Sequence, residues 1–528
     1  MRLHRISIQA AVILAFVSAA ALATTWHVPE DMLTIQAALN SLSDGDSIIV
    51  DPGLYIESLQ APNHLSFVMI GIFDTTKEND DWPIVDPSWL DSSNRKACFT
   101  IPSNTTAIIK NIWFRNSWPM FPRLNGSVGG FLNYSPDLTV YNCRFDSTYR
   151  ALSSNNGVLT VEDCEFRNSL ATTISKNNSN GMTIRHSQFS GGIYMPLFLY
   201  GNVLVDSCSF TCATTEWIWV QGSGVTIRGC TFTQAFGQIH ALIWTINASD
   251  LIIEDNTFAN FSMMNDGTTL SLGSSSSGTV EICGNLFSNL TGGFVGARAI
   301  DAENGAAHYV ICGNVFDNCV GGSARGILVW QRDAVIVNNT FLGFSNGVPY
   351  VKVRRTLNDT IRINNQSFAG TGWALAVDGP NFVNAENNWW GDSTGPYHVL
   401  FNPNGQGATI TGAADFDPWM PAWGDSDSTD TATELPTPLP TTIQLAVYPN
   451  PFNAAATLDL TVNEPEVYDV ELFNTLGQRA LHVWSGHIVR DKQISLDARA
   501  LPSGVYFVRV INRGASHTVA LSKIMLLK

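Results

Sequence analysis

The sequence predicts an all-β chain in two folded parts: a parallel β-helix with a capping helix at its N-terminal end, then a small antiparallel β-sandwich. Three observations carry this. An aromatic residue preceded by a period-two apolar segment returns every 21 to 31 residues. A proline-punctuated polar stretch follows, and beyond it the repeat gives way to separate alternating strands. Charged residues are only 14% of the 528, and Gly, Ser, Thr and Asn abound, which suits short strands and turns. The net charge of −16 excludes a phosphate-neutralising nucleic-acid binder and disfavours docking on anionic lipid.

Residues 1–23 read as a secretory signal. Arg2 and Arg5 precede an apolar run over residues 10–21, and Ala21, Leu22 and Ala23 give small residues at a cleavage site. The run is shorter than the roughly 20 apolar residues of a membrane span. Next, Ile35, Leu39 and Leu42 have helical spacing, and "SDGD" turns into a strand over residues 47–50. This predicts a short amphipathic helix closing the first turn of the coil, where open strand edges would otherwise be exposed. Residues 24–423 form the expected β-helix domain.

From residue 106 the repeat reads apolar, any, apolar, two variable residues, then Asn or Cys, any, Phe, as in "VTIRGCTF" (225–232), "LIIEDNTF" (251–258) and "VIVNNTF" (335–341). The aromatic slot holds Phe114, Phe145, Phe166, Phe189, Phe210, Phe232, Phe258, Phe287, Phe316, Phe341, Phe368 and Trp389. A period in the twenties is a solenoid, too short for helix pairs and without fixed leucine offsets. About twelve rungs follow, stacked at about 4.8 Å. Two residues before the aromatic lie Ile112, Cys143, Cys164, Ser187, Cys208, Cys230, Asn256, Asn285, Asn314, Asn339, Gln366 and Asn387. An inward polar side chain must be hydrogen-bonded, and stacked amides can bond one another. In "NNWWG" (387–391), Asn387 is then expected to end the amide ladder and Trp389 the aromatic stack.

"IQAALNSLSDGDSIIVDPGLYIE" (35–57) and "NNWWGDSTGP" (387–396) resemble the two ends of right-handed, single-stranded parallel β-helix proteins of the pectate-lyase-like superfamily, over residues 26–420. The resemblance implies handedness and fold; the group spans lyases, hydrolases, esterases and adhesins.

Residues 424–442 hold almost no apolar side chains and three prolines, a disordered linker. Residues 443–528 alternate as short strands with turn residues between, the pattern of a small antiparallel sandwich. "YPNPFN" (448–453), "LFNTLGQ" (472–478), "LPSGVYFVRV" (501–510) and "KIMLLK" (523–528) resemble the C-terminal sorting domain of type IX secretion substrates. That implies a Gram-negative cell, contact with its secretion machinery, and delivery to the outer-membrane surface or the medium, with the tail often removed.

Nine cysteines leave at least one unpaired. Cys143–Cys164, Cys208–Cys230 and Cys283–Cys312 fall at equivalent places of neighbouring rungs, close enough to bridge. Their regular placement equally suits small side chains filling a stack. No paired metal-ligand spacing appears.

For chemistry, "GLYIE" (53–57) resembles an early pectin methylesterase motif, but the carboxylate-bearing motifs are missing. The signatures of polygalacturonases and the paired-Arg motif of pectate lyases are also absent, and Asp80–Asp81 reads as a loop. The strands that precede the ladder segments offer a face instead. With Ile218 and Val220 inward, Trp217 and Trp219 point out; with Ile327 and Val329 inward, so does Trp330. Trp244 lies on a strand apolar on both faces. Asp301, Glu303, Asp378, Lys352 and Arg354 are the nearby candidates for catalysis. The expectation is a monomeric surface protein that engages a polysaccharide or surface glycan. The alternatives are a polysaccharide lyase, which would bring Ca²⁺, or a glycoside hydrolase, and beyond these a structural spacer.

Overall fold

The computed structural model describes residues 23–423 and 444–527 except 74–81, 91–96, 118–130, 156, 170, 177–179, 193–195, 212–215, 238–240, 264–266, 274–276, 293–297, 303–306, 321–325, 331–332, 344–346, 355–360, 371, 380–382, 451, 463–465, 475–478, 489–490, 500 and 513–516. The expected signal, the linker, Asp80–Asp81, Cys212 and Glu303 therefore lie outside the described residues. Residues up to 424 form one unit and those after it a second.

The first unit is a parallel β-solenoid with three strand columns. Each rung runs through a first strand such as Leu152–Ser154, a second such as Val158–Glu162 and a third such as Glu165–Ser169. Each strand pairs in parallel with its equivalent one rung away. In Ile218–Arg228 and Ala241–Glu254 the first and second strands run together, so these two columns join in one 29-stranded sheet. The third column stacks thirteen strands in one path, because Gly53–Tyr55 and Pro83–Val85 add turns ahead of the repeat that starts near residue 106.

The N-terminal end closes as the apolar spacing indicates. Helix Ile35–Asn40 buries Ile35, Ala38 and Leu39, and Thr34 Oγ1 caps it by accepting from Ala37 N–H at 3.1 Å. Glu57 belongs to this lid. Its carboxylate accepts from Ile35 N–H at 3.0 Å and Gln36 N–H at 2.8 Å, satisfying amides that the first helical turn leaves without carbonyls. The "GLYIE" segment thus serves as structure here.

Inside, like lies over like. Asn256, Asn285, Asn314, Asn339 and Gln366 form one buried column in which each Nδ2 donates to the next side-chain oxygen at 2.9–3.1 Å. Each of those oxygens also accepts a backbone N–H from the preceding rung, as Asn314 Oδ1 does from Asn285 at 2.9 Å. Beside the amides, Phe145 through Phe368 stack with centroids 4.7–5.0 Å apart and planes within 12°. The rung spacing dictates that geometry, and each pair adds about 1 kcal/mol beyond its buried area.

The last rung is shifted by one residue from expectation. Asn388, not Asn387, accepts from Gln366 N–H at 2.8 Å, and Trp390, not Trp389, stacks on Phe368 at 4.9 Å. "NNWW" satisfies the two-residue offset in either register. What decides is the corner residue just before the ladder slot, which is left-handed in rung after rung: Asp255 at φ 54°, Asn338 at 57°, Asn365 at 57°. Asn387 takes that place at φ 56°.

Cys283 and Cys312 are bridged, with Cα atoms 4.6 Å apart. They lie half-buried on the outer side of the second column rather than filling the interior. Cys143, Cys164, Cys208 and Cys230 stay free and buried in the ladder slot, as do Cys98 and Cys319 elsewhere. Burial pushes the Cys143 thiol up to about 12.

The second unit has a three-stranded antiparallel sheet (Gln444–Tyr448, Ala455–Thr461, Asp491–Asp497) and a four-stranded one (Arg479–Ile488, Glu466–Asn474, Gly504–Asn512, His517–Leu526). They share a core built from Leu458, Leu460, Val470, Leu472 and Val508 among others.

Candidate functional site

The first-strand column turns one row of side chains outward. Its register sets Phe198, Trp219, Trp244, Ser271, Asp301, Leu328 and Lys352 one above another. At the rung spacing this row spans roughly 30 Å. Strand alternation places it, since Leu197, Ile218, Ile243, Leu270, Ile300, Ile327 and Val351 on the neighbouring positions are buried in the coil.

The row has an aromatic end and a charged end. Trp219 stacks on Trp244 with centroids 5.1 Å apart and planes 22° from parallel, and Phe198 meets Trp219 edge-on at 5.3 Å. All three are half-buried, so they form a low ridge on the sheet. Two of the three indole-bearing positions read as outward, Trp219 and Trp330, do face out. Trp217 does not. It precedes the strand and turns into the core at 1% exposure, packing on Phe232 at 5.4 Å and Phe261 at 5.5 Å. Alternation fails there because the chain bends into the rung before residue 218.

At the charged end Asp301 is 3% exposed, not presented to solvent. It accepts from Arg298 Nη1 at 2.7 Å and from Trp330 Nε1 at 2.9 Å. Burial pushes its carboxyl above the usual range, and the Arg298 and Arg354 guanidiniums and the Trp330 N–H pull against that. Arg354 lies over the Trp330 ring at 4.5 Å. Lys352 pairs with the exposed Asp378 at 3.1 Å. Asp301, Trp330 and Arg354 are thus one cluster, and Lys352 with Asp378 a second on the same face. Each carboxylate has its own cation. Among the described residues no group of three or more His, Cys, Asp or Glu could hold a metal ion.

Phe198 and Arg298 join Trp219, Trp244 and Asp301 on this face without having been candidates by sequence. "LFLY" (197–200) carried the Phe198 signal, an aromatic between two inward leucines. Nothing in the sequence marks Arg298, whose role depends on a contact that only the fold creates.

Residues 197–342 match the family described as right handed beta helix region, and residues 446–525 the secretion system C-terminal sorting domain. The chain therefore carries a right-handed β-helix and a type IX sorting tail, the two parts of a secreted β-helix protein. No curated protein matches it. Solved structures that resemble it include the catalytic domain of a GH87 alpha-1,3-glucanase in complex with nigerose, at 12% identity and TM-score 0.31 over 72% of this chain and 67% of that one. The family 28 exopolygalacturonase of Yersinia enterocolitica is 13% identical, with TM-score 0.33 over 66% of this chain and 74% of that one. The A-module of a mannuronan C-5 epimerase of Azotobacter vinelandii is 12% identical, with TM-score 0.28 over 72% and 95%.

Proposed function

We propose that the protein is delivered to the outside of a Gram-negative cell, where it binds a polysaccharide along the outer face of its first strand column. The observation that carries this is the half-exposed ridge of Phe198, Trp219 and Trp244 on a rigid sheet. Sugar rings turn apolar C–H faces to such surfaces, and stacked rungs hold the aromatics without an ordering cost on binding. Farther along the same face, Lys352 and the exposed Asp378 offer polar groups to a ligand.

Binding fits the charged end better than bond cleavage does. A hydrolase needs two carboxylates facing one glycosidic bond, and a general acid or base needs reach to the substrate. Asp301 is sealed and doubly bonded, and Asp378 is committed to Lys352. In this reading Asp301 positions Trp330.

The test is a panel of polysaccharides run by affinity electrophoresis, with and without Ca²⁺, and assayed in parallel for released reducing or unsaturated ends. The reading expects retardation by at least one polysaccharide, its loss in Trp219→Ala and Trp244→Ala, and no released ends. Unchanged retardation in both variants removes the ridge from the account. Released ends make the protein an enzyme.

A further inference from the structure

A hollow lies on another side of the coil, at the corner between the second and third columns. It encloses about 410 Å³, within the size range of small-ligand sites. Its wall is built from successive rungs: Asn142 and Arg144, then Asp163, Glu165 and Arg167, then His186 and Gln188. Asn142, Asp163 and His186 are the left-handed corner residues, at φ 46°, 54° and 48°, which tips their side chains out along one edge of the hollow. Arg144, Glu165 and Gln188 face outward from the third column in register. Trp82 and the buried Cys143 and Cys164 complete the lining.

The groups are held in place. The Arg144 guanidinium lies over the Trp82 ring at 4.4 Å, and Trp82 stacks on Phe73 behind it at 4.6 Å. Glu165 sits between two guanidiniums, with Arg144 Nε at 3.5 Å and Arg167 closing on its other oxygen. His186 stands 3.7 Å from Asp163 and 3.9 Å from Glu162.

The mixture of hydrogen-bonding types names the ligand class. An anion asks for donors alone and a cation for acceptors alone. Here donors that cannot accept (Arg144, Arg167) alternate with acceptors that cannot donate (Asp163, Glu165), and amides that do both (Asn142, Gln188) complete the ring. A sugar hydroxyl both donates and accepts. Arg144 and Arg167 offset Glu165 and one further carboxylate, and with Asp163 and the neighbouring Glu162 the rim keeps a net negative charge that disfavours an acidic ring. We propose that this corner hollow is a second saccharide site that takes one or two neutral sugar residues, independently of the aromatic ridge.

The experiment titrates the full-length mature chain with maltotriose, cellotriose, laminaritriose and trigalacturonate, each followed by calorimetry. The variants are Asp163→Asn, which keeps a residue suited to the left-handed corner, Gln188→Ala on the exposed wall, and Trp219→Ala on the ridge. The proposal expects a neutral trisaccharide to bind the Trp219→Ala chain, in which the ridge is disabled, with affinity falling roughly ten-fold when Asp163→Asn or Gln188→Ala is added. Thermal unfolding of both corner variants at the wild-type temperature shows that the coil is intact; if either variant is unstable, competition between the neutral and acidic trisaccharides on the wild type decides instead. Binding of no neutral trisaccharide, binding insensitive to both corner variants, or tighter binding of trigalacturonate overturns it. Loss in Trp219→Ala alone places the sugar on the ridge, which overturns the corner site while leaving the ridge reading standing.

Discussion

The Trp330 indole N–H donates to Asp301 one rung away at 2.9 Å, and Arg298 holds the other carboxylate oxygen at 2.7 Å. An outward indole is thereby tied to a buried charge pair. Asp301→Ala leaves the Arg298 cation without its carboxylate in a nearly closed site, which costs about 3 kcal/mol. Asp301→Asn keeps an oxygen for Trp330 but not the charge, and should cost less. Urea midpoints of the two variants check the order. Equal losses would show that the ion pair, not the indole bond, dominates.

Asn314 shows what one position of the amide column is worth. Its Nδ2 donates to Ile282 O at 2.8 Å and to Asn339 Oδ1 at 2.9 Å, and its Oδ1 accepts from Asn285 N and Nδ2. Asn314→Ala strands several buried groups and should destabilise the coil by about 3 kcal/mol. Asn314→Cys should be milder, because in earlier rungs a thiol fills this slot and its sulfur takes the neighbouring N–H, as Cys164 does from Cys143 at 3.5 Å. Denaturant titration of both variants gives the comparison.

Lys176 is buried where the first column turns inward, and its Nζ donates to Gly181 O at 2.7 Å and Gly157 O at 3.4 Å. Burial lowers its ammonium to about 8 from 10.5. Between those values the unfolded chain binds the proton and the folded chain does not, so Lys176 makes stability rise with pH across the window. Buried thiols such as Cys98, raised to about 12, oppose this above their unfolded values. The test is therefore the difference between Lys176→Met and wild type. The variant should be more stable at pH 7, by an amount on the order of 1–3 kcal/mol, and the gap should close by about pH 10.5. A gap that is constant with pH would show that the ammonium is not the cause.

Most of the architecture was legible because a solenoid writes its core into the sequence at a fixed offset. Phe258, Phe287 and Phe316 announce their stack, and Asn285 and Asn314 their ladder, without knowledge of any tertiary contact. The strand at residues 47–50 and the helix after Thr34 were legible for the same local reasons. The terminal register was not, because "NNWW" fits two frames and only the left-handed corner residue separates them. The site was half legible. Alternation places Trp219 and Trp330 outward but stops where a strand stops, so it misplaced Trp217. It says nothing of burial on the outer face, where Asp301 is 3% exposed and accepts from Trp330 Nε1. The corner hollow lay hidden in positions that the repeat leaves variable, such as Asp163 and His186.

The most direct test of the ridge is a crystal structure of the chain with an oligosaccharide cut from whichever polysaccharide it retards. The account predicts a sugar residue in contact with Trp219 or Trp244, with the chain continuing towards Trp330. A sugar seated away from the first-column face, with nothing on the ridge, would contradict it.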